Sequence, residues 1–257
     1  MGAPTLILLH GLGANADLNW FTCFGALGRE FRVLALDHRG HGRGIRSGAR
    51  FHLSDCADDA AALADAYGID RFIVVGYSMG GPVAQLTWHR HRDRVAGLVL
   101  CATSRDFSGT PRERMAFAVL PGLSAAMRIA PPRVRQGLMG SAIAGRLGDG
   151  PLARWAATEL GRNDPAAMMA AAAALGRFSS RQWIGEVDVP AAVVLTMRDS
   201  LVPPHRQRKL AASIPGATIH LVDADHGACA AAPHRFVPAL VAACRSVAAR
   251  TSLSCRS

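Results

Sequence analysis

Lysine is almost missing from this chain: Lys209 is the one lysine among 29 basic residues, and no run of five basic residues occurs in the 257. Nucleic-acid binders cluster their positive charge on one face or segment. The formal charge of +10 therefore reads as arginines scattered over a solvated surface, and nucleic acid is not expected as a partner. Paired cysteines are missing too. Cys23, Cys56, Cys101, Cys229, Cys244 and Cys255 form no C-x-x-C, which argues against a zinc ribbon or a dithiol redox site. Most lie among apolar neighbours, as in Val99-Leu100-Cys101-Ala102, and read as small buried hydrophobes suited to a reducing cytoplasm. Long hydrophobic runs are lacking as well: Leu6-Ile7-Leu8-Leu9 is too short for a signal sequence or a membrane span and follows no basic segment. Leucine at position 6 breaks the N-myristoylation pattern. The expectation is a cytoplasmic protein without stable membrane insertion. With 50% hydrophobic and 19% charged residues, the chain can fill one sizeable core.

What is present is an alternation of short Val/Ile/Leu runs with longer helix-like segments, the pattern of a parallel sheet covered by helices on both faces. Strands are expected at 6–9, 31–36, 72–76, 95–101, 191–197 and 218–222, so the fold class is α/β with a mostly parallel sheet of at least six strands. Helices are expected at 54–67, capped by Ser54 and stopped by Gly68, at 80–92, and at 233–249 behind Pro233. Residues 104–185 contain no strand-like run. That is too long for a simple connection, and its prolines divide it into short helices. We read 1–103 and 186–257 as the core and 104–185 as an inserted helical cap, with Met115, Leu120, Met127, Leu138 and Met139 as candidates to line a pocket beneath it.

The sharpest chemical signal is Gly76-Tyr77-Ser78-Met79-Gly80-Gly81, a G-x-S-x-G directly after an apolar run and before a helix-like one. A nucleophile on a tight strand-to-helix turn needs glycines around it, and the following helix offers free N–H groups to an oxyanion. Serine also needs a base. Among ten histidines, His226 follows the 218–222 strand on a short loop, whereas His220 lies within that strand and His89 and His91 sit at the end of the 80–92 helix. The imidazole in turn needs a carboxylate acceptor. Asp199, at the end of the 191–197 strand, is the first candidate; Asp106 after the 95–101 strand is its rival. Asp223 and Asp225 are too close in sequence to His226 to point at it readily.

With these residues in order, nearly the whole chain from Leu6 to Ala249 resembles the α/β-hydrolase superfamily, whose nucleophile–acid–base order matches Ser78, Asp199 and His226. His10-Gly11-Leu12-Gly13 looks like the family's H-G-x-G segment, which implies the backbone N–H groups of Leu12 and Met79 as oxyanion donors. His10 is otherwise a brace for that loop. Asp37-His38-Arg39-Gly40-His41-Gly42 looks like the D-x-R-G-x-G loop, structural in the family. The resemblance implies a serine hydrolase acting on a small-molecule ester or thioester with an acyl group, through an acyl-enzyme, with no metal or cofactor. The same triad also serves carbon–carbon bond hydrolases and lyases, and non-catalytic ligand-binding relatives exist. Serine at 78 argues against the haloalkane dehalogenases and epoxide hydrolases, which carry aspartate there. Family members also carry a β-hairpin ahead of the H-G-x-G strand. Its absence here implies either a start codon placed too late or a first strand exposed at a truncated sheet edge.

Overall fold

The computed structural model describes residues 3–131 and 150–254. Six strands, β1 (Thr5–Leu9), β2 (Arg32–Leu36), β3 (Phe72–Tyr77), β4 (Val95–Cys101), β5 (Ala191–Thr196) and β6 (Thr218–Val222), form one sheet in the order β2-β1-β3-β4-β5-β6, with every neighbouring pair parallel. The apolar runs need both sheet faces covered, and the period of two sorts them. Ile7, Leu9, Val74, Leu98, Leu100, Val193 and Leu195 face one layer, where they meet Ala57, Ala60, Val83, Trp88 and Leu210. Their neighbours Leu6, Leu8, Ile73, Val75, Val99 and Val194 face the other, against Trp20, Phe236, Leu240 and Val247. β3 and β5 are buried along their whole length.

The first strand is not at an edge. β1 pairs with both β2 and β3, so the expectation of an exposed first strand is corrected: β2 takes the edge, opening on the exposed, charged Arg32. Because the chain steps from β1 outward to β2 and then across to β3, the strand order reverses between β1 and β3. A crevice opens at such a switch point, outside the carboxyl ends of the strands.

The helices on the faces are α1 (Ala16–Trp20), α2 (Phe24–Leu27), α3 (Leu53–Ala66) and α4 (Gly80–Arg90). α3 begins one residue before the expected Ser54; its N-cap is His52, which makes no side-chain cap bond, so the Ser54 cap is also corrected. Gly68 stops it at φ +62°, a left-handed position glycine adopts without strain. Between β4 and β5 come α5 (Pro111–Ala118), α6 (Leu120–Ile129), α7 (Pro151–Gly161) and α8 (Pro165–Arg177). Each carries proline in its first two positions, where the missing N–H costs nothing. An antiparallel bridge between Asp106 and Ser179 closes the base of this excursion. α9 (Pro204–Ser213), α10 (Ala228–Ala231) and α11 (Pro233–Ser254) complete the chain, α11 running past the expected end at 249. The cysteines of the described residues are free and buried. No helix of the described residues is long and apolar enough to cross a membrane.

Candidate active site

β3 ends at Tyr77 and α4 begins at Gly80, leaving two residues for a sharp reversal. Ser78 occupies it at φ +50°, a left-handed conformation strained for a side chain. Three glycines make the turn possible. A Cβ on Gly76 would strike the Gly80 carbonyl, one on Gly80 the Leu9 carbonyl, and one on Gly81 the Thr103 side chain. The turn is held by Ser78 N–H to Cys101 O (2.9 Å) and by Thr103 Oγ1 donating to Ser78 O (2.8 Å).

The loop after β6 brings His226 to this serine: its Nε2 lies 2.9 Å from Ser78 Oγ and its Nδ1 2.7 Å from Asp199 Oδ2. The Tyr77 hydroxyl donates to the His226 carbonyl at 2.6 Å, so the residue beside the serine also fixes the histidine's backbone. Asp199 is buried on the loop after β5 and is fully occupied. Its Oδ1 accepts the N–H groups of Leu201 and Val202, and its Oδ2 accepts Thr196 Oγ1 and Gln207 Nε2 besides facing His226. Burial alone would raise its pKa. The bond and charge of His226, with the Val202 and Thr196 donors, outweigh it and hold the carboxyl below its ordinary range, so it stays ionised.

The rivals lie elsewhere. Asp106 is paired with Arg181 at 2.9 Å, and Asp223 with Arg198 and Arg235 at the surface. Asp225 accepts the Gly227 N–H in a local turn. His220 stays in β6, His89 stacks on Trp183, and His91 bonds Asp58. Among the described residues the N–H groups of Leu12 and Met79 have no hydrogen-bond acceptor. A Cβ on Gly11, next to Leu12, would come within 3.3 Å of Ser78 Cβ, so this loop passes directly over the serine.

His10 braces that loop. Its Nε2 accepts the His38 N–H at 2.9 Å, which leaves Nδ1 protonated to donate to Gly11 O at 2.8 Å. His10, His38 and His41 are all buried, with ring centroids 4.3 and 5.2 Å from His10. Burial, then mutual repulsion, pushes His10 well below the ordinary imidazole value and His38 down to about 3; burial likewise lowers His41. A neutral imidazole in the fold and a chargeable one in the unfolded chain mean that unfolding takes up protons below about pH 6.5. Stability is therefore full above that value and lost as the pH falls toward the folded pKa values. The urea midpoint should fall between pH 7 and pH 4.5, ahead of most carboxylate titration; an unchanged midpoint over that window would mean the three rings are solvated.

Sequence reasoning missed a second brace. Asn163, between α7 and α8, accepts the Gly42 N–H and donates to Gly13 O, both at 2.7 Å. Glu159, buried at the end of α7, receives Asn15 Nδ2 at 2.8 Å and pairs with Arg43 and Arg162 at 3.0 and 3.1 Å. Together they fasten the helices between β4 and β5 to the loop over Ser78. No local pattern marks these residues, because an acid and an amide at a helix end read as surface. Asn163→Ala strands the buried Gly42 donor and should cost about 2 kcal/mol, roughly 4–8 °C in Tm by calorimetry. A change near zero would show that water replaces the amide.

Three of the expected lining residues lie away from the cavity beside Leu12. Met115 is 72% exposed, while Met127 is buried one turn after Ser124, whose hydroxyl donates to Ala166 O in α8. Neither they nor Leu120 border the apolar cavity beside Leu12, which α1 and α7 line instead. Leu138 and Met139 lie outside the described residues. Among the described residues no cluster of His, Cys, Asp or Glu could hold a metal ion.

Comparison with known proteins agrees with this architecture. The sequence profile of the alpha/beta hydrolase fold matches residues 4–233. RutD of Caulobacter sp. (strain K31), a proposed carbamate hydrolase, is 30% identical over 247 residues, covering 92% of this chain and 89% of its own. A hydrolase from Pseudomonas aeruginosa PA01 superposes with TM-score 0.77 at 26% identity, covering 93% of this chain and 89% of that one. The enol-lactonase from Burkholderia xenovorans LB400, at TM-score 0.79 and 23% identity over 95% and 92% of the two chains, shares the fold. By sheet topology, serine turn and sequence likeness alike, this chain is an enzyme of the α/β-hydrolase family.

Proposed function

We propose that the protein is a serine hydrolase that cleaves a carboxylic ester or thioester through an acyl-enzyme on Ser78. One observation carries this reading: the continuous relay from Ser78 Oγ through His226 to the buried, ionised Asp199, at 2.9 and 2.7 Å. Ser78 Oγ attacks the carbonyl carbon while His226 Nε2 takes its proton. Asp199 holds the imidazole in the Nδ1–H tautomer and stabilises the imidazolium. The N–H groups of Leu12 and Met79 receive the oxyanion as it forms, since among the described residues no other acceptor competes for them. Collapse of the tetrahedral species expels the alcohol or thiol, which takes the proton from His226. Water then repeats the sequence on the acyl group and restores Ser78.

In this reading residues 104–185 act as a cap over the crevice, supported by the fastening of α7 and α8 to the loop over Ser78 through Glu159 and Asn163. The buried free cysteines fit a reducing compartment, and we place the enzyme in the cytoplasm. A carbamate, the substrate class in RutD's name, offers the same carbonyl to the same relay. Labelling with a fluorophosphonate tests the assignment: one adduct is expected, on the tryptic peptide containing Ser78. An adduct elsewhere with Ser78 unmodified would overturn it.

A further inference from the structure

A cavity of about 610 Å³ opens beside the proposed oxyanion loop, between α1, α7 and α10. Leu12 lines it and is also the residue whose N–H we assign to the oxyanion; Ala230, four residues past His226, lines it too. Through Leu12 the cavity adjoins the loop that the carbonyl must meet. Among the described residues no charged side chain lines it. Its walls are Leu18 of α1, Phe21 just after that helix, and Trp155, Ala156 and Leu160 from α7, with Phe21 set edge-on to Trp155 at 5.3 Å. At the rim Leu152 stands 59% exposed, a large apolar side chain left in water. A charged group entering here would shed its water and find no partner.

We infer that this cavity receives a bulky, uncharged apolar arm of the substrate ester, and that Trp155 and Ala156 set its length. The inference rests on the ester-hydrolase reading, which it deepens. Each methylene buried should raise kcat/KM about fourfold. The volume accommodates a chain of several carbons or an aromatic ring, well beyond an acetyl group. The arm could be the acyl group or the alcohol, and separate substrate series distinguish them.

The test has two arms. In the first, kcat/KM is measured on nitrophenyl acetate, butyrate, hexanoate, octanoate and monosuccinate, and on acetates of methanol, butanol, hexanol and octanol. One series should rise by about 50-fold or more from its shortest to its best member, which identifies the arm, and monosuccinate should do no better than acetate. Ala156→Phe should cut that rise at least tenfold, and Trp155→Ala should move the optimum to longer chains. A flat profile in both series, or a rise that neither substitution alters, overturns the inference. The second arm needs no turnover. In Ser78→Ala protein, quenching of tryptophan fluorescence by the nitrophenyl group reports binding of the octanoate and the acetate, and its reversal reports competing octyl and methyl acetate. In one of the two series the long member should bind at least tenfold tighter than the short one, and adding Ala156→Phe should remove the difference. If this binding holds while wild-type protein turns over neither series, the hydrolase reading fails and the cavity assignment stands. If binding discriminates in neither series while fluorophosphonate still labels Ser78 of the wild-type protein, the cavity assignment fails alone.

Discussion

Ser78→Ala is expected to lower kcat by about 10³- to 10⁶-fold, because a nucleophile and its base act as a unit and the remaining activity comes from the oxyanion donors and binding alone. The fold should survive. Alanine keeps the Ser78 N–H bond to Cys101 O and the Thr103 bond to Ser78 O, neither of which uses the hydroxyl. A circular-dichroism melt run with the kinetics separates chemistry from folding. KM for a short ester should move little, since the lost group bonds the transition state. A mutant retaining more than a tenth of the activity at an unchanged melt would mean that another group attacks.

The second large effect is assigned to Asp199. Asp199→Asn should cut kcat about 10⁴-fold. Its amide would present N–H to His226 Nδ1, force the proton onto Nε2, and leave Ser78 Oγ facing a donor where it needs an acceptor. The Leu201 and Val202 N–H groups can still bond the retained oxygen, so the loop keeps its shape. Asp106→Asn is the control. That carboxylate is spent on Arg181 and lies outside the relay, so kcat should stay within about threefold. Reversed results would move the acid to the loop after β4 and break the geometric account.

That pair of aspartates shows where the sequence could be read and where it could not. Both follow an apolar strand, and nothing in the local residues separates them. The difference is one of sheet order. β5 lies beside β6, so the loop carrying Asp199 neighbours the loop carrying His226, whereas β4 lies one strand further away. The strands themselves were legible because doubly buried parallel strands are continuous apolar runs, and Ser78 because its turn tolerates only glycine at Gly76, Gly80 and Gly81. Gln207 and Thr196, which hold Asp199 from 8 residues after and 3 before, carry no pattern of their own. The helices between β4 and β5 were legible as helices. Their facing was not, because in Ala-rich α8 the buried and half-buried positions carry the same residue type, and Met115 turned out to face water. The three buried histidines look like any polar loop in sequence. Only the packing of the 10–13 and 37–42 loops against one another shows that they are kept neutral.

The proposed mechanism turns on a covalent acyl group on Ser78. Its most direct test is rapid mixing of enzyme with excess nitrophenyl hexanoate, followed by acid quench, intact-mass measurement and peptide mapping. A burst of nitrophenol approaching one per enzyme is expected, with a hexanoyl increment on the peptide containing Ser78 that is absent in Ser78→Ala. Steady turnover in which nitrophenol is released without any acyl increment, at quench times shorter than one catalytic cycle, would contradict it.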